Sequence, residues 1–291
     1  MNVERYIQRL EALDDGERPL SPRTVRRFQR LIWQFFSAHG RSFAWRRSRD
    51  PYQILVSEIM LQQTQTVRVA ERFDEFLQLF PTVQDLAKAS QASVIRAWQG
   101  LGYYRRAKNL HLAAKAICLK HRGKVPRDPQ ALVALPGIGA YTAAAVAVFA
   151  FQTAVPMVET NIRAVYLFTF CRERTHVGDR EIATLVEHTC DVRRCREWFY
   201  ALMDLGVELK RYRPGINHRS KHHVTQTPFK GSDREVAAQV LRVIISRTRA
   251  IQDDQLYREV SADSEQVKRA IERLLKDSLI QRSPSGGLRP V

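Results

Sequence analysis

Leu135-Pro136-Gly137-Ile138-Gly139 stands between a short helical stripe, Gln130 to Leu135, and a run of small apolar residues, Ala140 to Phe151. Two glycines two residues apart let such a turn expose its backbone amides at the start of the next helix, where a phosphate oxygen is held without any base being read. A Pro-Gly turn between two packed helices is also a common structural device. The meaning of this turn therefore depends on its surroundings.

Apolar residues recur at helical spacing almost everywhere around it. Val25 to Ala38 puts Phe28, Leu31, Ile32, Phe35 and Phe36 on one stripe, and similar stripes run through Val67 to Phe80, Ala92 to Gln99 and Ala107 to His121. Alternation of period two is scarce, so the pattern predicts an all-α core. Breaks at Phe80-Pro81, Lys124-Val125-Pro126 and Leu135-Pro136-Gly137 cut the helices to about three turns. Between Arg211 and Gly231 the periodicity gives way to Pro214, Gly215, Pro228 and the polar, basic run Asn217 to Lys221, which reads as a linker. Beyond it, Asp233 to Arg247, Gln252 to Val260 and Ser264 to Asp277 read as three short helices. Leu279 to Arg282, a Ser-Pro-Ser-Gly-Gly turn and Leu288 to Val291 follow as a hairpin, the element order of a winged helix. Lys268, Arg269 and Arg273 give its third helix a basic side, suited either to a DNA groove or to the solvated face of a packing or protein-binding module.

Charge narrows the partners. The 291 residues carry 47 Lys and Arg against 30 Asp and Glu, a net charge of +17, which suits a polyanion whose counterions are released on binding. Aromatic residues interleave with the basic ones and no basic amphipathic helix ends in Trp or Phe, so nucleic acid fits better than a membrane surface. The longest apolar run, Ala143 to Phe151, is far short of the roughly 20 residues of a membrane span. Met1 to Pro19 lacks the apolar block of a secretory signal, so the expected place is the cell interior: cytoplasm and nucleoid in a bacterium, the nucleus in a eukaryote. Cys118, Cys171, Cys190 and Cys195 show no paired two-residue spacing. Cys190 and Cys195 with His218, His222 or His223 make at most half a metal site. Reduced thiols on helices are the reading adopted, and no metal is expected.

Two acids carry the chemistry. Val56-Ser57-Glu58-Ile59-Met60-Leu61-Gln62-Gln63-Thr64-Gln65 sets one carboxyl among apolar residues. If Pro51 to Val67 is one helix, Ile54, Leu55 and Leu61 flank Glu58 and desolvate it, favouring a protonated acid. Glu159, in Met157-Val158-Glu159-Thr160-Asn161, precedes the helix Ile162 to Phe170, whose dipole and capping amides favour an anion. One protonated and one charged carboxyl is the division that glycosidic cleavage needs. Spacing alone leaves open that Glu58 is a solvated helix acid and Glu159 only a cap.

Six blocks in order decide between these. They are Trp45-Arg46-Arg47, Asp50-Pro51-Tyr52, Ser57 to Gln65, Gly100-Leu101-Gly102-Tyr103-Tyr104, Leu135 to Thr142 and Ala201-Leu202-Met203-Asp204-Leu205-Gly206. Over roughly Phe43 to Gly206 the chain resembles the MutY family of adenine DNA glycosylases. The resemblance implies an all-α, two-lobed helix-hairpin-helix DNA glycosylase fold over residues 1–228, with a six-helix lobe at about 45–155 and a second lobe from 20–44 and 156–215. Residues 229–291 form the winged-helix-like domain. It implies Glu58 as general acid, with Glu159, Tyr141 and Asn161 at the cleavage centre and Arg46, Trp45 and Asp204 facing an extruded base. Gln63 and Tyr103 would fill the hole that the base leaves, and Gln62, Gln65, Leu101, Gly137 and Gly139 would meet the DNA. Tyr141 stands where the related endonuclease III branch carries a lysine, and a phenol cannot form a Schiff base with the sugar, so a monofunctional glycosylase is expected. The implied reaction is hydrolysis of adenine from double-stranded DNA opposite 8-oxoguanine or guanine, by a monomer. Removal of another base, such as thymine opposite guanine, and noncatalytic lesion binding are the alternatives.

The chain departs from that family three times. Lys210 to His223 lacks the four cysteines that hold an iron-sulfur cluster, so no cluster is expected and other contacts must hold the segment. Glu159 stands where the family has Asp, one methylene further from the backbone. The winged-helix-like domain takes the place of a Nudix-like domain that reads the lesion.

Overall fold

Helices carry most of the computed structural model, which describes residues 2–13, 19–225 and 228–291. In chain order they are α1 (Val3–Glu11), α2 (Pro22–His39), α3 (Ala44–Arg47), α4 (Pro51–Leu61), α5 (Thr66–Leu79), α6 (Val83–Lys88), α7 (Gln91–Ala97) and α8 (Arg105–Lys120). There follow α9 (Pro129–Val133), α10 (Ala140–Phe151), α11 (Thr160–Phe170), α12 (Asp179–Thr189) and α13 (Cys195–Tyr212). The chain closes with α14 (Asp233–Ile245), α15 (Asp253–Glu259), α16 (Ser264–Lys276) and the strands β1 (Ile280–Arg282) and β2 (Leu288–Pro290). No described helix is long and apolar enough to cross a membrane.

The periodic stripes become helices within a few residues of their expected ends, with one correction. Pro51 to Val67 is two helices: α4 stops at Leu61, and α5 starts at Thr66. Gln63 takes φ +57° between them, a left-handed conformation that no helix continues through.

The described residues gather into two compact units. The first comprises Met1–Ile54, Arg127–Val133 and Ile138–Val224. Its core is aromatic: Phe28 of α2 meets Phe170 at 5.0 Å and Trp198 at 5.8 Å edge-on, and lies tilted against Tyr166 at 5.7 Å. Tyr166 is fully buried and keeps its hydroxyl satisfied against Thr189 Oγ1 at 2.6 Å. Helices α11 and α13 meet so closely that a Cβ on Gly206 would lie 2.2 Å from the Asn161 carbonyl oxygen.

The second unit comprises Leu55–Pro126, Ala134–Gly137 and Thr225–Val291. Trp98 lies at its centre, edge-on to Phe76 at 5.7 Å, and donates through Nε1 to the Gly102 carbonyl at 3.1 Å. Gly137 of the Pro-Gly turn has φ +73° and backs onto Asn109, whose Cβ a side chain at 137 would meet at 2.5 Å. The last three helices and the hairpin form the winged-helix arrangement expected from the sequence: α14 packs on α16, β1 pairs antiparallel with β2, and Ile251 bridges Leu288 as a rudimentary third strand. This module is docked within its unit. Arg96 donates to the Ile245 carbonyl at 3.0 Å, Gln91 to the Ser278 carbonyl at 2.7 Å, and Lys108 to the Asp277 carbonyl at 2.7 Å.

The α11–α13 approach yields a test. Gly206→Ala forces the two helices apart and is expected to destabilise the protein by about 1–3 kcal/mol, the usual cost of overpacking. Urea unfolding measures this, and an unchanged midpoint would show that the helices separate freely.

Candidate active site

Glu58 sits on α4 and is 6 % exposed, with Leu55 and Ile59 buried beside it. What ends α4 is one guanidinium. Arg106, on the first turn of α8 and itself buried, donates through Nη1 to the carbonyls of Ile59 and Met60 at 2.8 Å each and of Gln62. Through Nη2 it reaches Thr64 Oγ1 at 2.8 Å and the carbonyls of Leu101 and Gly102 at 3.0 and 3.1 Å. The last carbonyls of a helix have no intrahelical partner, and here a cation serves them, favourable to the helix dipole as well. Burial lowers the Arg106 pKa to about 10, which leaves it charged near neutral pH.

Two segments expected on DNA are thereby tied together, the turn Gln62–Gln65 and the loop Gly100–Tyr103. Thr64 Oγ1 also donates to the Leu101 carbonyl at 3.1 Å. Gln63 and Tyr103, the two expected to fill the hole in the base stack, are both held in left-handed backbone, at φ +57° and +48°. Non-glycine residues stay there only when surroundings over-determine them, and such strain collects at functional positions. Gly100 and Gly102, at φ +88° and +71°, give the loop its shape. Gln63, Gln65 and Tyr103 are exposed, whereas Leu101 is buried.

In the first unit Arg46, Trp45 and Asp204 come together. Asp204, 2 % exposed on α13, accepts from Arg46 Nη1 at 2.8 Å and Nη2 at 2.9 Å, and from the backbone N and Nε of Arg41 at 2.8 and 2.7 Å. Two arginines thus satisfy one buried carboxylate, one of them in the bidentate fork that suits a guanidinium. Aromatic faces layer around them. Arg46 lies 5.1 Å over Phe43 and 4.5 Å over Tyr200, Phe43 stacks on Trp45 at 4.8 Å, and Tyr200 stacks on Phe149 at 4.3 Å. Arg196 donates to the carbonyls of Phe149, Arg46 and Ser48, fixing α3 to α10 and α13.

Glu159 is the N-cap of α11, as its place before the helix suggests. Its Oε1 accepts from the backbone N of Asn161 and of Ile162 at 2.8 Å each, and its Oε2 from Asn161 Nδ2 at 3.0 Å and Thr160 Oγ1 at 3.1 Å. The extra methylene is accommodated by folding the carboxyl back over the first turn. Asn161 is held in turn by that bond, and its Oδ1 is buried with no hydrogen-bond partner among the described residues, an acceptor aimed at nothing in the chain itself. Tyr141 is half-buried on the first turn of α10, and Gly139 caps that helix from an exposed position where a Cβ would meet no atom within 4 Å. Glu58 belongs to the second unit and Glu159 to the first, and α4 is the helix that passes from one to the other.

The segment that would carry a cluster contains no cysteine, and the donor set does not fit one. Cys118, Cys171, Cys190 and Cys195 are free, and the described residues contain no group of three or more metal-ligating side chains. Burial pushes the Cys190 thiol up to about 12 and raises that of Cys195, opposite to what a thiolate ligand requires. Other contacts hold the segment. Val177 N donates to the Arg219 carbonyl and Lys221 N to the Val177 carbonyl, each at 3.0 Å, and Asn217 Nδ2 reaches the Thr160 carbonyl at 3.1 Å. Ile216 is buried, and His218 meets His223 at 4.3 Å between ring centres.

Sequence reading missed Arg106, Arg41 and Arg196, all anchors of expected site residues. No local signal marks them, since an arginine beside a helix start reads as solvated charge. The profile of the HhH-GPD superfamily base excision DNA repair protein matches residues 56–187. The adenine DNA glycosylase of Mycobacterium tuberculosis H37Rv is 34 % identical over 289 residues, covering 91 % of this chain and 93 % of that protein. That of Mycolicibacterium smegmatis is 38 % identical over 267 residues, covering 84 % and 90 %. Among solved structures, a thermostable thymine-DNA glycosylase aligns with a TM-score of 0.58 at 28 % identity, covering 67 % of this chain and 94 % of its own. A trapped endonuclease III–DNA covalent intermediate aligns at 0.54 and 21 % identity, covering 72 % and 91 %, which supports the fold.

Arg106→Met leaves buried carbonyls without their cation and is expected to cost about 3–5 kcal/mol, as for other buried, hydrogen-bonded charges. Chemical unfolding reads this. A change below about 1 kcal/mol, within the range of an exposed charge pair, would show that α4 and the two loops hold their shape without it.

Proposed function

This chain belongs to the adenine DNA glycosylase family, within the HhH-GPD superfamily of base excision DNA repair proteins, and on that premise we propose that it hydrolyses the N-glycosidic bond of adenine opposite 8-oxoguanine or guanine in duplex DNA. The observation that carries the reading is Glu58, a buried carboxyl on a helix whose end is fixed by Arg106 beside the loops suited to DNA.

Glu58, protonated, gives its proton to a ring nitrogen of the departing adenine, so that the base leaves neutral when the glycosidic bond breaks. The sugar carries the positive charge as an oxocarbenium-like ion. Glu159 supplies the compensating carboxylate, held in one orientation by its four donors. Water adds to the sugar carbon and gives its proton to the Glu58 carboxylate, which restores the acid and leaves an abasic site and free adenine. Asn161 keeps a buried Oδ1 with no partner among the described residues, an acceptor for the reacting groups, and Tyr141 offers a phenol where the endonuclease III branch carries a lysine. Arg46, covered by Phe43 and Tyr200, and the buried Trp45 and Asp204 form a rigid backing for the site that receives the extruded base. Phosphates approach the exposed Gly139 turn, where the open space at the start of α10 admits them.

On this reading the reaction needs no iron-sulfur cluster, a view supported by the backbone pairing to Val177 and the buried Ile216 in the segment that would carry one. A second reading, thymine removed opposite guanine, is favoured by the likeness to the thermostable thymine-DNA glycosylase.

Glu58→Gln is expected to lower single-turnover formation of alkali-labile sites in an adenine:8-oxoguanine duplex by a factor on the order of 10²–10⁴. An unchanged rate would remove Glu58 from the chemistry. Borohydride should trap no covalent adduct with the same duplex, and an adduct would mean that an amine attacks the sugar. Anaerobically purified protein should be colourless, whereas visible thiolate-to-iron absorbance would contradict the clusterless assignment.

A further inference from the structure

A cavity of about 680 Å³ opens in the second unit, within the roughly 300–1,000 Å³ typical of ligand clefts. One side is the pair of loops tied by Arg106. The other side belongs to the C-terminal module: Phe229, Arg234 and Ala238 from the start of the module and α14, and Arg273 from α16. Five arginines line it against a single aspartate, Asp277, which Arg105 approaches at 3.5 Å. Phe229 and Tyr103, at 55 % and 41 % exposure, present aromatic faces to solvent on its wall. Arg234 Nη1 donates to the Tyr103 hydroxyl at 2.9 Å, so the module grips the very residue expected to enter the base stack.

The geometry points to a nucleotide pocket with the C-terminal module as its second wall, which takes one nucleotide of a DNA strand, makes Arg234 and Phe229 determinants of which base is accepted and leaves Arg273 to its phosphate. That the nucleotide is the one opposite the excised adenine rests on the function proposed above. Charge selects the class of ligand, since surplus guanidinium groups in an open cleft suit phosphate. Flat side chains at its edge suit a base face, and the amide of Gln63 can pair with a base edge in two places. On this account Arg273 of the third helix serves the same nucleotide as the catalytic lobe. Arg269 is engaged with Asp233 at 3.2 Å instead. Arg234 acts as a positioning residue for Tyr103 and Arg273 as a phosphate contact.

The test uses the full chain and fluorescence anisotropy with two duplexes. Both carry a tetrahydrofuran abasic analogue, opposite guanine in one and opposite a second tetrahydrofuran in the other, so only the base expected in the pocket differs. The wild type should bind the guanine duplex about tenfold more tightly, the scale of one stacked base. Ala238→Trp, which fills the cavity without removing a charge, should bring that ratio close to unity. Arg273→Gln should lower the dependence of log Kd on log salt by about one. Circular dichroism melting checks that the variants fold, and if Ala238→Trp does not, Arg234→Gln combined with Phe229→Ala carries the test by the same ratio. A wild-type ratio of unity, or a folded pocket variant that keeps the wild-type ratio, overturns the pocket. Failure of the adenine reading would look different: the wild type would release no adenine while the binding ratio still collapsed on blocking the cavity.

Discussion

A single buried guanidinium organises the catalytic side of this molecule. Arg106 gathers five carbonyls and one hydroxyl from two segments, Ile59 to Thr64 well before it in the chain and Leu101-Gly102 just ahead of it. An arginine has the fork and the permanent charge for that task, and a lysine has neither the breadth nor the planarity. The carbonyls it serves are those that a helix leaves over at its end. Their satisfaction lets α4 stop at Leu61 and turn sharply while Glu58 remains on a rigid element one turn earlier. The same bonds hold Gln63 and Tyr103 in a backbone conformation that neither would choose alone.

The first unit solves a parallel problem with the signs reversed. Asp204 is a buried anion served by two arginines, and the arginines are packed between aromatic faces, so charge, hydrogen bonding and stacking fix one arrangement. Glu159 is a second anion, served by the amides of a helix start. Gly206 lets α13 lie against the backbone of Asn161, and the position of Asn161 therefore depends on a residue with no side chain at all. Both acids of the proposed reaction lie on helices whose termini are satisfied by side-chain chemistry, which is how a flexible carboxyl acquires a fixed direction.

Much of this was legible in the residues. The run Ala140 to Phe151 is a helix over that same span, and the three helices and hairpin of the C-terminal module lie where periodicity and the Gly-Gly turn put them. Glu159 read as a cap because it directly precedes a helix. The end of α4 was not legible, since Gln62-Gln63-Thr64-Gln65 has neither glycine nor proline and the stop is imposed by an arginine some forty positions later. Arg41 and Arg106 look like surface charge in sequence, because what buries them is tertiary. The docking of the C-terminal module on α7 and α8 was also hidden: its bonds run to carbonyls, which every residue possesses.

The roles proposed for Glu58 and Glu159 stand or fall on adenine being the base removed. Chromatography of the base released from duplexes with adenine opposite 8-oxoguanine, adenine opposite guanine and thymine opposite guanine tests that claim most directly. Free adenine is expected from the first two and nothing from the third. Release of thymine with adenine left in place would contradict it.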